Sequence, residues 1–295
     1  MYEYVTIKNG GYTARIRLAG AQIASLTTPE GREIIWQGDP AVWPQHSSIL
    51  FPICGAPKDG KVIIEGKEYA MNKHGFTKVA PFQVAKLGED FVELILTPDE
   101  TTRACYPFDF VFHATYTLLE GGYTTTFLVE NKSDRPMPFC VGGHPGYVCP
   151  MAEGERFEDY QVVFDKPEEG MHAILDDKGM IRAWEQLDGF HNQRELRLDY
   201  ADYDTFDTLL FRDLNSRGVN LVHKETGHGL RMVFPKLPAL ALWTAVGKHA
   251  PYLCIEPWLG IPASHEDSGC MEDKPYVVML EPGRCYKTWF TTTLI

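Results

Sequence analysis

The sequence predicts an all-β protein of antiparallel strands with few and short helices. Three observations carry that expectation. Segments of roughly four to eight residues, alternating with period two or rich in β-branched and aromatic residues, recur from end to end. Glycine and proline, 26 and 20 in 295 residues, punctuate those segments at short intervals. No stretch sustains a helical apolar period over about three turns.

In chain order, residues 13–18 alternate with period two, and Gly20 and the Pro29-Glu30-Gly31 turn follow them. Residues 33–36 read as another short strand, closed by Gly38-Asp39-Pro40. Residues 61–64 and 67–70 flank Glu65-Gly66, the pattern of a two-residue hairpin. Strands are expected at 82–86, 91–96, 111–118 and 123–130, the last two joined through Leu119-Glu120-Gly121-Gly122. Thr124-Thr125-Thr126 places β-branched residues where a strand favours them. The second half continues with strands at 160–164, 194–198, 208–211, 219–223, 230–234, 239–245, 277–280 and 286–292. A short helix is expected over 265–273, with Ser264 as its N-cap. With no repeat, low-complexity tract or polar linker, residues 1–295 read as one domain, a sandwich or barrel.

Composition narrows the function. Apolar residues make up 44% and charged residues 23%, as in ordinary globular proteins. The formal net charge of −12, from 40 acidic and 28 basic residues, argues against nucleic acid or an anionic membrane as partner. Met1-Tyr2-Glu3-Tyr4 does not begin a basic-then-apolar leader, and no apolar run nears the roughly 20 residues of a membrane helix. Seven scattered cysteines suggest reduced thiols in a cytoplasm. Cys140, His144 and Cys149 are close in sequence but lack the spacing of structural zinc sites, so no metal is expected.

Four stretches carry polar residues that packing alone does not predict. In Val141-Gly142-Gly143-His144-Pro145-Gly146-Tyr147 the glycines and proline restrain an imidazole that titrates near neutrality. The stretch reads either as a structural turn or as a proton donor and acceptor. Lys73-His74-Gly75-Phe76 sets a second histidine before a glycine, with a turn histidine as the plainer reading. Phe206-Asp207-Thr208-Leu209 has an acid opening an apolar strand, where aspartate also serves as an ordinary cap. In Cys254-Ile255-Glu256-Pro257-Trp258 a glutamate sits inside an apolar run, so burial should raise its pKa toward that of a general base. The alternative is a strand-end glutamate in solvent or paired with arginine. Rival chemistries fit less well. Glycoside hydrolysis could use Glu256 and Asp207 but leaves both histidines unexplained. No serine stands in a G-x-S-x-G setting, and no glycine loop opens a helix to cradle phosphate.

Taken in order, these stretches resemble the aldose 1-epimerase (galactose mutarotase-like) family, in its bacterial epimerase-like branch. The matching residues include Gly20-Ala21-Gln22-Ile23, Ile35-Trp36-Gln37-Gly38, Leu50-Phe51-Pro52-Ile53, Lys73-His74-Gly75-Phe76, Tyr106-Pro107-Phe108, Gly142-Gly143-His144-Pro145 and Cys254-Ile255-Glu256-Pro257-Trp258. The resemblance implies a galactose mutarotase-like β-supersandwich and a hexose as small-molecule substrate, interconverted between α and β anomers without a cofactor. It implies Glu256 as the base at the anomeric hydroxyl and His144 as the acid at the ring oxygen. His74 and Asp207 would hold sugar hydroxyls, and Trp243 or Trp258 would offer the pyranose an apolar face. Two departures bear on the substrate. Ala56, in Gly55-Ala56-Pro57-Lys58, stands where the family usually has a substrate-anchoring arginine. His46-Ser47-Ser48 stands where small or proline residues are commoner. A hexose 6-phosphate as substrate would call for a basic rim, with Lys58, Lys73 and Lys78 as candidates. A non-catalytic sugar binder on the same fold is the remaining alternative. The particular sugar and the oligomeric state are left open.

Overall fold

The computed structural model describes residues 3–295, and antiparallel sheets dominate it. A nine-stranded sheet runs in spatial order Gln193–Arg197, Tyr160–Glu168, Gly218–His223, Gly229–Val233, Cys285–Leu294, Gly122–Asn131, Phe110–Leu119, Phe91–Leu96 and Gln83–Leu87. A seven-stranded sheet runs Ile181–Gln186, Met171–Leu175, Thr208–Phe211, Ala239–Trp243, Tyr252–Leu259, Val141–Val148 and Ser47–Leu50. A three-stranded sheet over Tyr4–Asn9, Tyr12–Arg17 and Gln22–Thr27 and two strand pairs complete the set. This is the β-supersandwich that the resemblance implies.

The two large sheets face each other across an aromatic core. Phe164 of the nine-stranded sheet lies 6.0 Å, ring centre to ring centre, from Phe211 of the seven-stranded one. Phe51, just past Ser47–Leu50, packs 4.9 Å from Phe112. One polar cluster bridges the sheets: the Tyr147 hydroxyl lies 2.9 Å from that of Tyr123 and 2.7 Å from that of Thr292. Each fully buried aromatic contributes about 1.5–3 kcal/mol from its removal from water.

Most expected strands are present, several longer by a residue or two at each end. The hairpins at Glu65-Gly66 and Glu120-Gly121 form between antiparallel partners. Residues 33–36 are a correction: they make only single bridges, Thr27 to Glu33 and Ile35 to Tyr147. The Glu33 carboxylate explains it, since it accepts the N–H groups of Leu26, Ile34 and Ile35. The expected helix over 265–273 is a second correction. Ser264 directs both its N–H and its hydroxyl to Asp267, and Gly269 turns left-handed at φ 85°, so only a 3₁₀ turn at Met271–Asp273 remains. The helices that do form, Glu100–Cys105 and Tyr200–Phe206, are capped by Asp99 and Asp199. Each spans fewer than about two turns, too short to show a period.

Tyr147→Phe removes the hydroxyl shared by Tyr123 and Thr292. It should cost about 1–3 kcal/mol by leaving buried partners unpaired, read as a lower urea midpoint at unchanged m value.

Candidate active site

The seven-stranded sheet packs one face on the core and builds a cleft of about 250 Å³ on the other. Strand alternation decides which residues face it. On Val141–Val148, Tyr147 enters the core while Gly142, His144 and Gly146 share the opposite face. His144 is therefore a strand residue, and the turn reading of this stretch is corrected. A Cβ on Gly142 would fall 2.6 Å from the Trp258 ring, and one on Gly146 2.9 Å from the Trp43 ring. Their absence lets both indoles close down beside His144. Trp43 stacks on the imidazole at 5.0 Å, and Trp243 meets it edge-on at 5.6 Å.

On Tyr252–Leu259, Cys254, Glu256 and Trp258 share the cleft face, and Leu253 and Ile255 enter the core. Glu256 is thus an interior strand residue, 1% exposed, rather than a solvated strand end. Its cross-strand neighbour on one side is Ala241, which leaves room for the carboxyl. On the other side the register passes from Gly142↔Trp258 to Gly146↔Cys254 with no pairing between. Pro145 and Pro257 lie in that gap and supply no N–H. Across it His144 Nε2 lies 3.3 Å from Glu256 Oε2, close but not hydrogen-bonded. Glu256 Oε2 and His144 Nδ1 find no hydrogen-bond partner among the described residues.

Burial sets the charges. It pushes the Glu256 carboxyl well above the usual carboxylate range, with the Lys73 ammonium as the largest opposing influence. Burial, with smaller contributions from Lys73 and Lys78, brings the His144 imidazole down to about 3. Both shifts favour the uncharged forms, a carboxylic acid beside a neutral imidazole.

His74 and Asp207 complete the floor. His74 holds a left-handed φ of 67° because its N–H donates to Gly55 O while the Gly55 N–H donates back to its Nδ1. The neutral tautomer therefore presents Nε2–H. Burial, then Lys73, holds its pKa well below the usual histidine value. The ring stands edge-on to His144 at 5.7 Å and to Trp258 at 5.6 Å. Asp207 stands directly before the strand Thr208–Phe211, as expected, and also serves as a cap. It ends the helix Tyr200–Phe206 at φ 61°, where its N–H donates to Tyr203 O and its carboxylate accepts Trp243 Nε1–H at 3.0 Å.

All four sequence candidates, Glu256, His144, His74 and Asp207, line this one cleft. Trp243 and Trp258, expected as apolar faces, line it too. Of the three lysines considered for a basic rim only Lys73 does so; Lys58 donates to His265 O and Asp267 O instead. Trp43 was not singled out, although a tryptophan between prolines 40 and 44 is an aromatic placed in a loop rather than a strand. The cysteine brought beside His144 is Cys254, not Cys140 or Cys149.

The fold and the cleft define a class: an all-β protein with a buried carboxyl and an imidazole side by side on the floor of a tryptophan-walled pocket. The chain belongs to the aldose 1-epimerase family, whose model matches residues 3–293. It is 30% identical to the plasmid-encoded protein LacX of Lactococcus lactis subsp. lactis over 298 aligned positions, covering 99% of each chain. A galactose mutarotase related enzyme from Lactobacillus acidophilus is 29% identical, with a TM-score of 0.90 over 99% of this chain and 97% of that one. A galactose mutarotase-like protein from Lactobacillus casei shares the fold at 23% identity, with a TM-score of 0.91 over 99% and 100%.

Glu256→Gln tests the buried carboxyl without turnover. Because the folded pKa lies above the unfolded one, the unfolded state loses its proton first as pH rises, and folding stability declines until the folded pKa is passed. The variant should therefore raise Tm relative to wild type at pH 8 and change it little at pH 4. An equal shift at both pH values would refute the elevated pKa.

Proposed function

We propose that the protein is an aldose 1-epimerase that interconverts the α and β anomers of a free hexose, with Glu256 and His144 as its acid–base pair. The observation that carries this reading is the 3.3 Å approach of a buried carboxyl and a neutral imidazole on the cleft floor. Moving the shared proton from Glu256 to His144 yields a carboxylate and an imidazolium. The carboxylate takes the proton of the anomeric hydroxyl while the imidazolium protonates the ring oxygen, and the C1–O5 bond breaks to the open aldehyde. Rotation about C1–C2 and reclosure with the opposite transfers deliver the other anomer. Both groups end as they began, so no cofactor is consumed. His74 Nε2–H donates to, and the Asp207 carboxylate accepts from, sugar hydroxyls, and the indoles of Trp43, Trp243 and Trp258 cover the apolar faces of the ring.

Other readings have less support. A phosphorylated hexose calls for a cationic mouth, and a single lysine, Lys73, lines this one. A binder without turnover gains nothing from a buried carboxyl oxygen with no hydrogen bond, which is costly to maintain. Seven free cysteines, four of them buried, support a reducing, cytoplasmic setting.

Polarimetry on freshly dissolved α-glucose and α-galactose tests the reading. The wild type should accelerate the approach to anomeric equilibrium, and Glu256→Gln should lower that rate about 10²–10⁴-fold. An inert wild type on every free hexose would sink the free-sugar reading, and acceleration of hexose 6-phosphates alone would replace it.

A second expectation concerns Lys73. The active pair holds one proton, so it is bounded below by uptake of a second proton and above by loss of the first. Lys73 lowers both pKa values. In Lys73→Met the whole pH–rate bell should move to higher pH, while Lys73→Arg should leave it near the wild-type position. An unmoved bell in Lys73→Met would show that this ammonium does not act on the pair.

A further inference from the structure

One buried thiol beneath the cleft floor takes no part in the chemistry above. Cys254 precedes Glu256 by two residues and so shares its face of the strand Tyr252–Leu259. It sits between Trp243 on one neighbouring strand and Gly146 on the other, fully buried. One donor atom each from His144, Cys254 and Glu256 lie within 4.8 Å of one another. Two buried atoms of this group, Glu256 Oε2 and His144 Nδ1, have no hydrogen-bond partner among the described residues.

The donor set points to a particular ligand. Tetrahedral zinc, with bonds of about 2.0–2.3 Å, spaces nitrogen and oxygen ligands about 3.3 Å apart and puts sulfur slightly farther out. His144 Nε2 and Glu256 Oε2 already stand at 3.3 Å, and a donor atom of Cys254 lies within 4.8 Å of the group. Thiolate, imidazole and carboxylate together suit Zn²⁺ or Cd²⁺ and not Mg²⁺ or Ca²⁺, which take oxygen donors. The charges cancel as well: one divalent cation with one thiolate, one carboxylate and a neutral imidazole leaves no net charge in a site that desolvates its groups strongly. His144 and Glu256 line the cleft, so a cation held between them would lie on its floor.

We infer that His144, Cys254 and Glu256 form an inhibitory site for one thiophilic divalent cation, which occupies the cleft floor and excludes the sugar. Binding releases the thiol proton of Cys254 and the carboxyl proton of Glu256 to water, and involves no change of oxidation state. Metal affinity therefore rises with pH. Inhibition rests on the epimerase reading above; binding of the metal does not.

Cd²⁺ is the probe, because its thiolate charge-transfer absorbance reports the Cys254 bond directly. The full chain is used with Cys105, Cys270 and Cys285, the residues not fully buried, changed to serine. One Cd²⁺ per chain should bind with the ultraviolet thiolate band, and anomer exchange should be inhibited competitively with galactose. Cys254→Ala, with Cys254→Ser as a closer match in size, should abolish the band and weaken Cd²⁺ binding by about 100-fold or more. Both variants should still turn over, now insensitive to Cd²⁺. Glu256→Gln should weaken Cd²⁺ binding independently of any activity. A band that persists without Cys254, or Cd²⁺ affinity unchanged by Glu256→Gln, overturns the site. Cd²⁺ inhibition that survives in Cys254→Ala and Cys254→Ser overturns it equally. If Cd²⁺ binds through Cys254 but no sugar is turned over by the metal-free chain, the site stands and the epimerase reading fails.

Discussion

The structure depends on keeping one carboxyl group dry. Glu256 lies at the centre of a strand that is fifth of seven in its sheet, and its side chain is almost wholly removed from water. Burial there disfavours an isolated carboxylate and favours the protonated carboxyl, and burial of the neighbouring imidazole favours its neutral form. That arrangement is destabilising on its own. It persists because the other face of the same strand is sealed by Leu253 and Ile255 against the aromatic core. The hydrophobic sandwich offsets a cost that the cleft imposes.

Strand alternation links the two requirements. Along Val141–Val148 and Tyr252–Leu259, one parity of residues builds the core and the other builds the cleft. Shifting either strand by one residue would exchange Tyr147 for His144 or Ile255 for Glu256, putting an ionisable group into the core and an apolar one into the pocket. The register is therefore fixed by the same burial that stabilises the fold. The buried contacts among Tyr123, Tyr147 and Thr292 hold the cleft-bearing sheet at a fixed position over its partner, and the prolines after His144 and Glu256 open the ladder where those two side chains meet.

Much of this was legible in the sequence, for reasons that differ by element. Glu256 was readable because a charged residue inside an apolar run is a local anomaly, and the run did prove to be a buried strand. The hairpins at Glu65-Gly66 and Glu120-Gly121 were readable because turn chemistry is local. His144 could be singled out, but its glycine-rich surroundings suggested a turn. Those glycines serve instead to admit the indoles of Trp43 and Trp258, an approach set by elements some hundred residues away in the chain. Trp43 escaped notice for the same reason: only the tertiary fold brings its loop onto His144. Residues 33–36 misled because a side chain, Glu33, took donors that periodicity assigns to a ladder.

The electrostatics also fit the reversibility that an anomer exchange demands. The reaction runs equally in both directions, so a site that fixed its proton firmly on one group would favour one half of the cycle and slow the other. Carboxylic acid with neutral imidazole, and carboxylate with imidazolium, contain the same number of protons and differ only in where one of them lies. Desolvation favours the uncharged arrangement in the empty cleft, whereas a bound sugar brings hydroxyl dipoles that stabilise the charged one. Lys73 lowers the pKa of the carboxyl and of the imidazole alike, so it moves the range of pH over which a single proton is held toward lower pH without narrowing it. Dry walls and the nearby lysines thus set the balance between carboxyl and imidazole on which the proposed exchange would draw.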